Sequence, residues 1–182
     1  SGTLTFDQAH TYSGRTSIND DGTLKTTSTG SLSNATAVNV SSSAKYELGS
    51  DDEVGSIEGS GSIALGASRL TVGGDNANTN FSGTISGTGG ITKIGFGKLS
   101  LTGVKNYEGN TVVNAGTLLS QGSAMSSDIS VADGAVFEIY LPSASDAVTY
   151  SKIISGEGGF AKTGSGTLTF DQAHTYSGRT SI

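Results

Sequence analysis

The chain has no cysteine and no tryptophan, and only one proline and one methionine in 182 residues. Without cysteine there can be no disulfide, no thiol nucleophile and no Cys-based metal site. Charge is scarce too, at 14 % Asp, Glu, Lys and Arg, and the net charge is −6. An acidic balance repels phosphate backbones, so nucleic acid is not an expected partner. No apolar run approaches the roughly 20 residues needed to cross a bilayer, so the chain should not be membrane-embedded. No signal peptide is recognisable; the export signals of a secreted parent would lie outside these residues. Aromatics are 7 %, which predicts a narrow core of Val, Ile, Leu and Ala. Ser, Thr and Gly dominate, and that suggests disorder. Disorder, however, usually needs high charge, and the alternation of apolar residues argues against it.

The chain is built from repeats. Ser82–Leu101 (SGTISGTGGITKIGFGKLSL) matches Ser151–Phe170 (SKIISGEGGFAKTGSGTLTF) without a gap, and a looser copy lies at Ile57–Val72. Gly97–Asn114 matches Gly2–Asn19, with Tyr107, Gly109, Thr111 and Val113 falling on Tyr12, Gly14, Thr16 and Ile18. Asp128–Ile139 parallels Ala37–Leu48. Ser1–Ile18 and Ser165–Ile182 are the same string, SGTLTFDQAHTYSGRTSI. Drift rarely leaves eighteen residues identical beside diverged copies. Residues 1–182 therefore read as a single solenoid segment. One tandem unit runs from Ser1 to Gly164, and the next begins at Ser165. Artificial reuse of one segment at both ends is the alternative.

Local patterning points to strands. Leu4 and Phe6, Val38 and Val40, Ala44, Tyr46 and Leu48, Leu99 and Leu101, and Phe137 and Ile139 alternate with polar residues, as on a half-buried strand. Glycine interrupts nearly every window and costs a helix about 1 kcal/mol each time. Asn19–Gly22 and Asp133-Gly134 read as turns, Gly73–Asn80 as the most loop-like stretch, and Leu141–Asp146 as a loop around Pro142. A two-sheet sandwich shares short strands and frequent turns. Recurring inward patterns favour a parallel β-helix of about seven to nine coils, with roughly 20–25 residues per coil.

The strings at Gly89–Leu101, Asn106–Thr111 and Asn114–Leu118 resemble the passenger-associated strand repeat of bacterial autotransporters. Ser155–Thr180 is a second match, and Gly2–Leu24 a partial third. The repeat reads Gly-Gly-hydrophobic-x-Lys, small-Gly-x-Leu-x-Leu, Asn/Thr-Tyr-x-Gly-x-Thr and Asn-x-Gly-x-Leu. Phe96 stands at its small position, and an extra residue falls at Asp20-Asp21. The resemblance implies a right-handed parallel β-helix secreted to the outer-membrane exterior of a Gram-negative bacterium. A lack of cysteine fits passengers that cross the outer membrane unfolded.

No residue stands out as catalytic, cofactor-binding or metal-ligating. Gly87–Gly90 lacks the following helix of a phosphate loop. Gly73-Gly74-Asp75 lacks the calcium β-roll pattern. His10 and His174 have no ligand cluster and read as turn residues. Tyr12, Tyr107 and Tyr176 could stack sugars, but read better as covers on coil edges. Asp51-Asp52-Glu53 is the densest acid group. Neighbours on a strand face opposite ways, so it reads as a solvated corner rather than a hydrolytic pair. Asn34, Asn39, Asn106, Asn110 and Asn114 could form amide ladders. The expected function is a non-enzymatic adhesive stalk. Its partners would be neighbouring repeat units, a host or bacterial surface glycan or protein, or a second copy. The rivals are a polysaccharide-cleaving β-helix and a self-associating filament module.

Overall fold

A computed structural model describes residues 1–123 and 125–182. Among them there is no helix, and every strand pairing is parallel. The chain winds through three faces in a fixed order. Face one carries Thr3–Phe6, Thr23–Thr26, Lys45–Glu47, Ser62–Gly66, Thr84–Gly87 and Lys105–Tyr107. Face two carries Asp52–Val54, Leu70–Val72, Ile91–Lys93, Thr111–Val113, Ile129–Val131 and Ile154–Gly156. Face three is the longest, running in sequence order from Thr16–Ile18 through Ala37–Val40, Ser56–Gly59, Thr79–Phe81, Lys98–Leu101, Thr117–Gln121, Val136–Tyr140 and Gly159–Thr163 to Thr180–Ser181. A separate parallel pair joins Ala147–Tyr150 to Thr167–Phe170. The nine strands of face three mark about nine turns of a parallel β-solenoid. At about 4.8 Å per turn the stack is roughly 38 Å long.

Turn length is less regular than the repeats suggest. The step from Lys45 to its partner Ser62 falls short of the expected range, whereas that from Ile129 to Ile154 reaches its upper limit. Stacking places like on like. On face two, Leu70, Ile91, Thr111, Ile129 and Ile154 form one inward column, and Val54, Val72, Lys93, Val113 and Val131 the next. On face three, Leu99, Leu118, Phe137 and Phe160 stack in register. The inward columns are mostly apolar seams, so burial rather than helix propensity decides the local structure.

Rings contribute more to this core than their scarcity suggests. Six of the twelve Tyr and Phe residues are buried: Tyr46, Tyr107, Tyr150, Phe81, Phe137 and Phe160. The Gly73–Asn80 loop is shorter than its composition predicts, because Thr79–Phe81 joins face three. Leu141–Asp146 is free of strand, as Pro142 requires.

Glycine marks where successive turns touch. A Cβ on Gly83 would lie 1.8 Å from the Gly61 carbonyl oxygen of the turn before, and one on Gly103 would lie 2.0 Å from that of Gly83. The three glycines form a corner ladder that only a bare Cα permits.

The repeated sequence does not keep to one face. Gly97–Leu101 leads into face three, whereas its counterpart Gly2–Phe6 leads into face one. Thr111 lies on face two and its counterpart Thr16 on face three. The three faces are near enough in geometry that one motif serves on any of them.

Candidate functional site

The repeat places a lysine in an apolar column. Ile91, Thr92 and Lys93 alternate as a strand, so Lys93 points inward between Val72 and Val113. It is 1 % exposed. Its ammonium donates to the carbonyl oxygens of Ile94 at 2.7 Å, Gly95 at 2.8 Å and Ala115 at 3.2 Å. The first two belong to the corner that follows, and the third to the corner one turn on. Lys162, the same position in another copy, donates to Gly164 O at 2.5 Å. Lys105 ends the face-one column of Leu4, Leu24, Tyr46, Ile63 and Ile85. It donates to the carbonyls of Leu101, Gly103 and Gln121. Burial lowers both Lys93 and Lys105 to about 8, with Asp75 opposing the shift at Lys93. These ammonium groups clamp the carbonyls of the corners, three at a time for Lys93 and Lys105.

The Tyr-x-Gly-x-Thr element is also a clip. Tyr12 and Thr16, Tyr107 and Thr111, and Tyr176 and Thr180 each pair hydroxyl to hydroxyl at 2.7 Å. At Tyr107 and Thr111 the bond spans the corner between two strands. Tyr107 is fully buried rather than covering an edge; Tyr12, in the first turn, is 38 % exposed. Thr111 also shares a hydroxyl bond with Ser127 at 3.1 Å. Tyr107→Phe is expected to lower unfolding free energy by about 1 kcal/mol, and Tyr12→Phe by less, because solvent replaces the lost partner there. Denaturant midpoints of the two variants check this.

The acid group is not a solvated corner throughout. Asp51 and Glu53 are exposed, but Asp52 is 4 % exposed and continues the face-two column. Its carboxylate accepts from the Tyr46 hydroxyl, from the Leu32 amide at 3.0 Å and from the Glu53 amide at 2.9 Å. Burial pushes Asp52 above its ordinary range while these bonds pull it down, and it helps push the Tyr46 hydroxyl well up. Asp51 accepts from the Arg69 amide at 2.8 Å. Both aspartates are thus engaged in joining turns. The signal for Asp52 is the strand alternation itself, which turns the middle of three acids inward.

His10 and His174 lie in irregular segments beside Phe6 and Phe170, with ring centroids 3.9 and 4.0 Å apart. His174 Nδ1 accepts from the Ile154 amide at 3.1 Å, and burial lowers its imidazole from the usual value. Asn39 and Asn106 do not stack on other asparagines as amide ladders would require. Asn39 aligns with Ser17 and Glu58, and Asn106 with Ser86. Other asparagines bridge turns: the Asn76 and Asn78 side-chain oxygens accept from the Phe96 and Lys98 amides at 2.8 and 2.7 Å. Among the described residues, no three His, Asp or Glu gather as a metal site. The site residues thus converge on one kind of chemistry, the joining of one turn to the next.

The Passenger-associated-transport-repeat family matches residues 1–25, 91–119 and 160–182. These are the segments that hold the lysine clamps and tyrosine clips. The chain carries the passenger-associated transport repeat. It is also similar to the adhesin BmaC autotransporter of Brucella suis biovar 1 (strain 1330), at 34 % identity over 148 residues. That match takes in 72 % of this chain and 4 % of the relative's length. No solved structure matches. The three passenger repeats lie within one continuous solenoid, and among the described residues no helix is long and apolar enough to cross a membrane.

Proposed function

We propose that this chain is a length of non-enzymatic stalk in a secreted autotransporter passenger, holding an adhesive surface away from the outer membrane. The observation that carries the reading is where the repeat spends its polar groups. Lys93 and Lys105 bond corner carbonyls, including those of the following turn, and Asp52 takes the amide of Leu32 from the turn before. A protein whose recurring side chains are committed to stacking is suited to making length. The named relative is an adhesin, which supports contact with a glycan, a protein or another cell as the purpose of that length. Cofactors and metals have no part in this function.

The tandem unit belongs to the same proposal. Thr16 and Thr180 hold the same place in the two copies of the terminal string, and they begin the first and ninth strands of face three. The unit therefore contains eight whole turns, and each copy added in series presents its faces in the same direction. Joining a second unit should lengthen the particle by roughly 38 Å in X-ray scattering without thickening it. Incubation with a panel of polysaccharides should release no new reducing ends. A thickened particle, or turnover lost on Asp51→Asn and Glu53→Gln substitution, would overturn the reading.

A further inference from the structure

Face three carries a hollow that neither the lysine clamps nor the tyrosine clips use. It holds about 600 Å³ and is lined by Asn80, Ser100, Thr102, Leu119, Gln121 and Tyr140. The fourth to seventh strands of that face supply it, so further turns of the solenoid stand on both sides. In register, Asn80 lies beside Ser100, Ser100 beside Leu119, and Gln121 beside Tyr140. Ser100 and Thr102 are short where Gln121 and Tyr140 are long, and the surface dips between them. Three steps between turns make the hollow about 14 Å long. A smaller hollow shares Asn80 and Ser100 with it and extends it toward Lys98.

We propose that this hollow binds a segment of neutral glycan lying along the solenoid axis. Its lining has no charged side chain. The charges at its border are already paired: Lys98 donates to Glu138 at 2.7 Å, and Glu138 also accepts from the Thr163 hydroxyl at 2.6 Å. An acidic or basic ligand therefore finds no counter-charge. A peptide that adds itself as a strand needs an unpaired sheet edge, and the strands here are paired on both sides. Leu119, the one aliphatic side chain of the lining, is 7 % exposed, too little to anchor an apolar partner. The hollow offers amides and hydroxyls instead, which both donate and accept, as the hydroxyls of a sugar require. Among the described residues, only Thr102 and Asn80 of these side chains are hydrogen-bonded within the protein. Thr102 donates to the Asn80 side-chain oxygen at 2.9 Å, which leaves the Asn80 NH2 to donate elsewhere. Half-buried Tyr140 closes one end with a ring that has an apolar face and a polar tip. A pyranose presents the same combination, apolar ring carbons with hydroxyls around the rim. Successive turns repeat the lining every 4.8 Å or so, about the length of one sugar unit in an extended chain. The proposal rests on the stalk reading for its purpose, contact with a surface glycan, but not for its test.

The test titrates the chain of residues 1–182 with neutral linear tetrasaccharides of glucose, mannose, galactose and N-acetylglucosamine. A heparin-derived tetrasaccharide is the charged comparison, and side-chain amide signals are followed by NMR. At least one neutral tetrasaccharide should bind saturably and shift the signals of Asn80 and Gln121. Gln121→Ala should weaken that binding about fivefold, the loss of one hydrogen bond. Ser100→Arg fills the hollow from an outward position and should weaken it by about tenfold or more. Ser130→Arg, exposed on face two, should leave it unchanged. Thermal midpoints show which variants are folded, and either of the first two carries the test alone. No binding by any neutral tetrasaccharide at millimolar concentration would overturn the proposal. So would preference for the charged one, or undiminished binding in a folded Gln121→Ala or Ser100→Arg variant. None of these outcomes alters the scattering length of two joined units, so failure of the site and failure of the stalk reading are seen separately.

Discussion

Gly109→Ala should lower the free energy of unfolding by about 2–4 kcal/mol, while Gly14→Ala changes it by no more than about 0.5 kcal/mol. The two glycines hold the same place in the Tyr-x-Gly-x-Thr element. Within a chain of residues 1–182 their surroundings differ because only one has a turn beneath it. A Cβ on Gly109 would sit 2.5 Å from both the carbonyl carbon and oxygen of Gly89, and 2.7 Å from the Gly90 nitrogen. All three are backbone atoms of the previous turn, so relief requires the turns to separate. That would stretch the bond from the Gly109 amide to Gly89 O, now 3.0 Å. A Cβ on Gly14, in the first turn, meets nothing within 4 Å. Chemical denaturation of both variants measures the contrast. Equal losses would mean that this glycine serves its own corner and not the contact between turns.

The second large effect is a stability that rises into alkaline solution. Lys93 and Lys105 are held at about 8 by burial, against 10.5 in an open chain. Between those values the unfolded chain binds more protons than the folded one, so stability increases with pH. Below about pH 8 both states carry the charge, and the folded state bears the whole cost of burying it. The gain between about pH 8 and 10 should be about 1–3 kcal/mol for the pair, less than the full shifts would give, because the carbonyls around each ammonium favour its charged form. Above about pH 10 the trend reverses. Burial raises the hydroxyls of Tyr46, Tyr107 and Tyr150, so the unfolded chain loses those protons first. Thermal midpoints should therefore peak near pH 10. Lys105→Met keeps an apolar stem in its column and should roughly halve the rise. It should also lower stability at neutral pH, since the carbonyls of Leu101, Gly103 and Gln121 lose their donor.

Much of this architecture is legible in the chain's letters. Leu99 and Leu101, Val38 and Val40, and Phe137 and Ile139 alternate as they must on strands with one buried face, and all six are buried. The repeats then require those strands to stack in register, because similar inward patterns bury one another best when adjacent. What spacing does not reveal is how an inward polar residue is satisfied. Asp52 reads as solvated because aspartate usually is, and its burial is satisfied by the Tyr46 hydroxyl six residues earlier together with the amides of Leu32 and Glu53. Lys93 is visible as a motif letter, but its role depends on corner carbonyls whose direction no spacing rule supplies. Asparagines spaced along a solenoid suggest ladders of their own kind; at Asn76 and Asn78 the neighbouring turn's amides are the available donors instead. The shift of the motif from one face to the next is hidden as well. It depends on the cumulative length of the turns, and the short step from Lys45 to Ser62 and the long one from Ile129 to Ile154 cannot be told apart by composition.

The stacking of turns in sequence order is the claim on which the rest depends. Asn39, Glu58, Asn80, Ser100, Leu119, Glu138 and Ala161 form one outward column on face three, each beside the next. Spin labels can be placed at Asn39 and, in turn, at Asn80, Leu119 or Ala161, and the separations read by pulsed electron resonance. The backbone spacings should grow in equal steps, to roughly 10, 19 and 29 Å for two, four and six turns. A separation from Asn39 that failed to lengthen with each added pair of turns, or that shortened between Leu119 and Ala161, would contradict the solenoid.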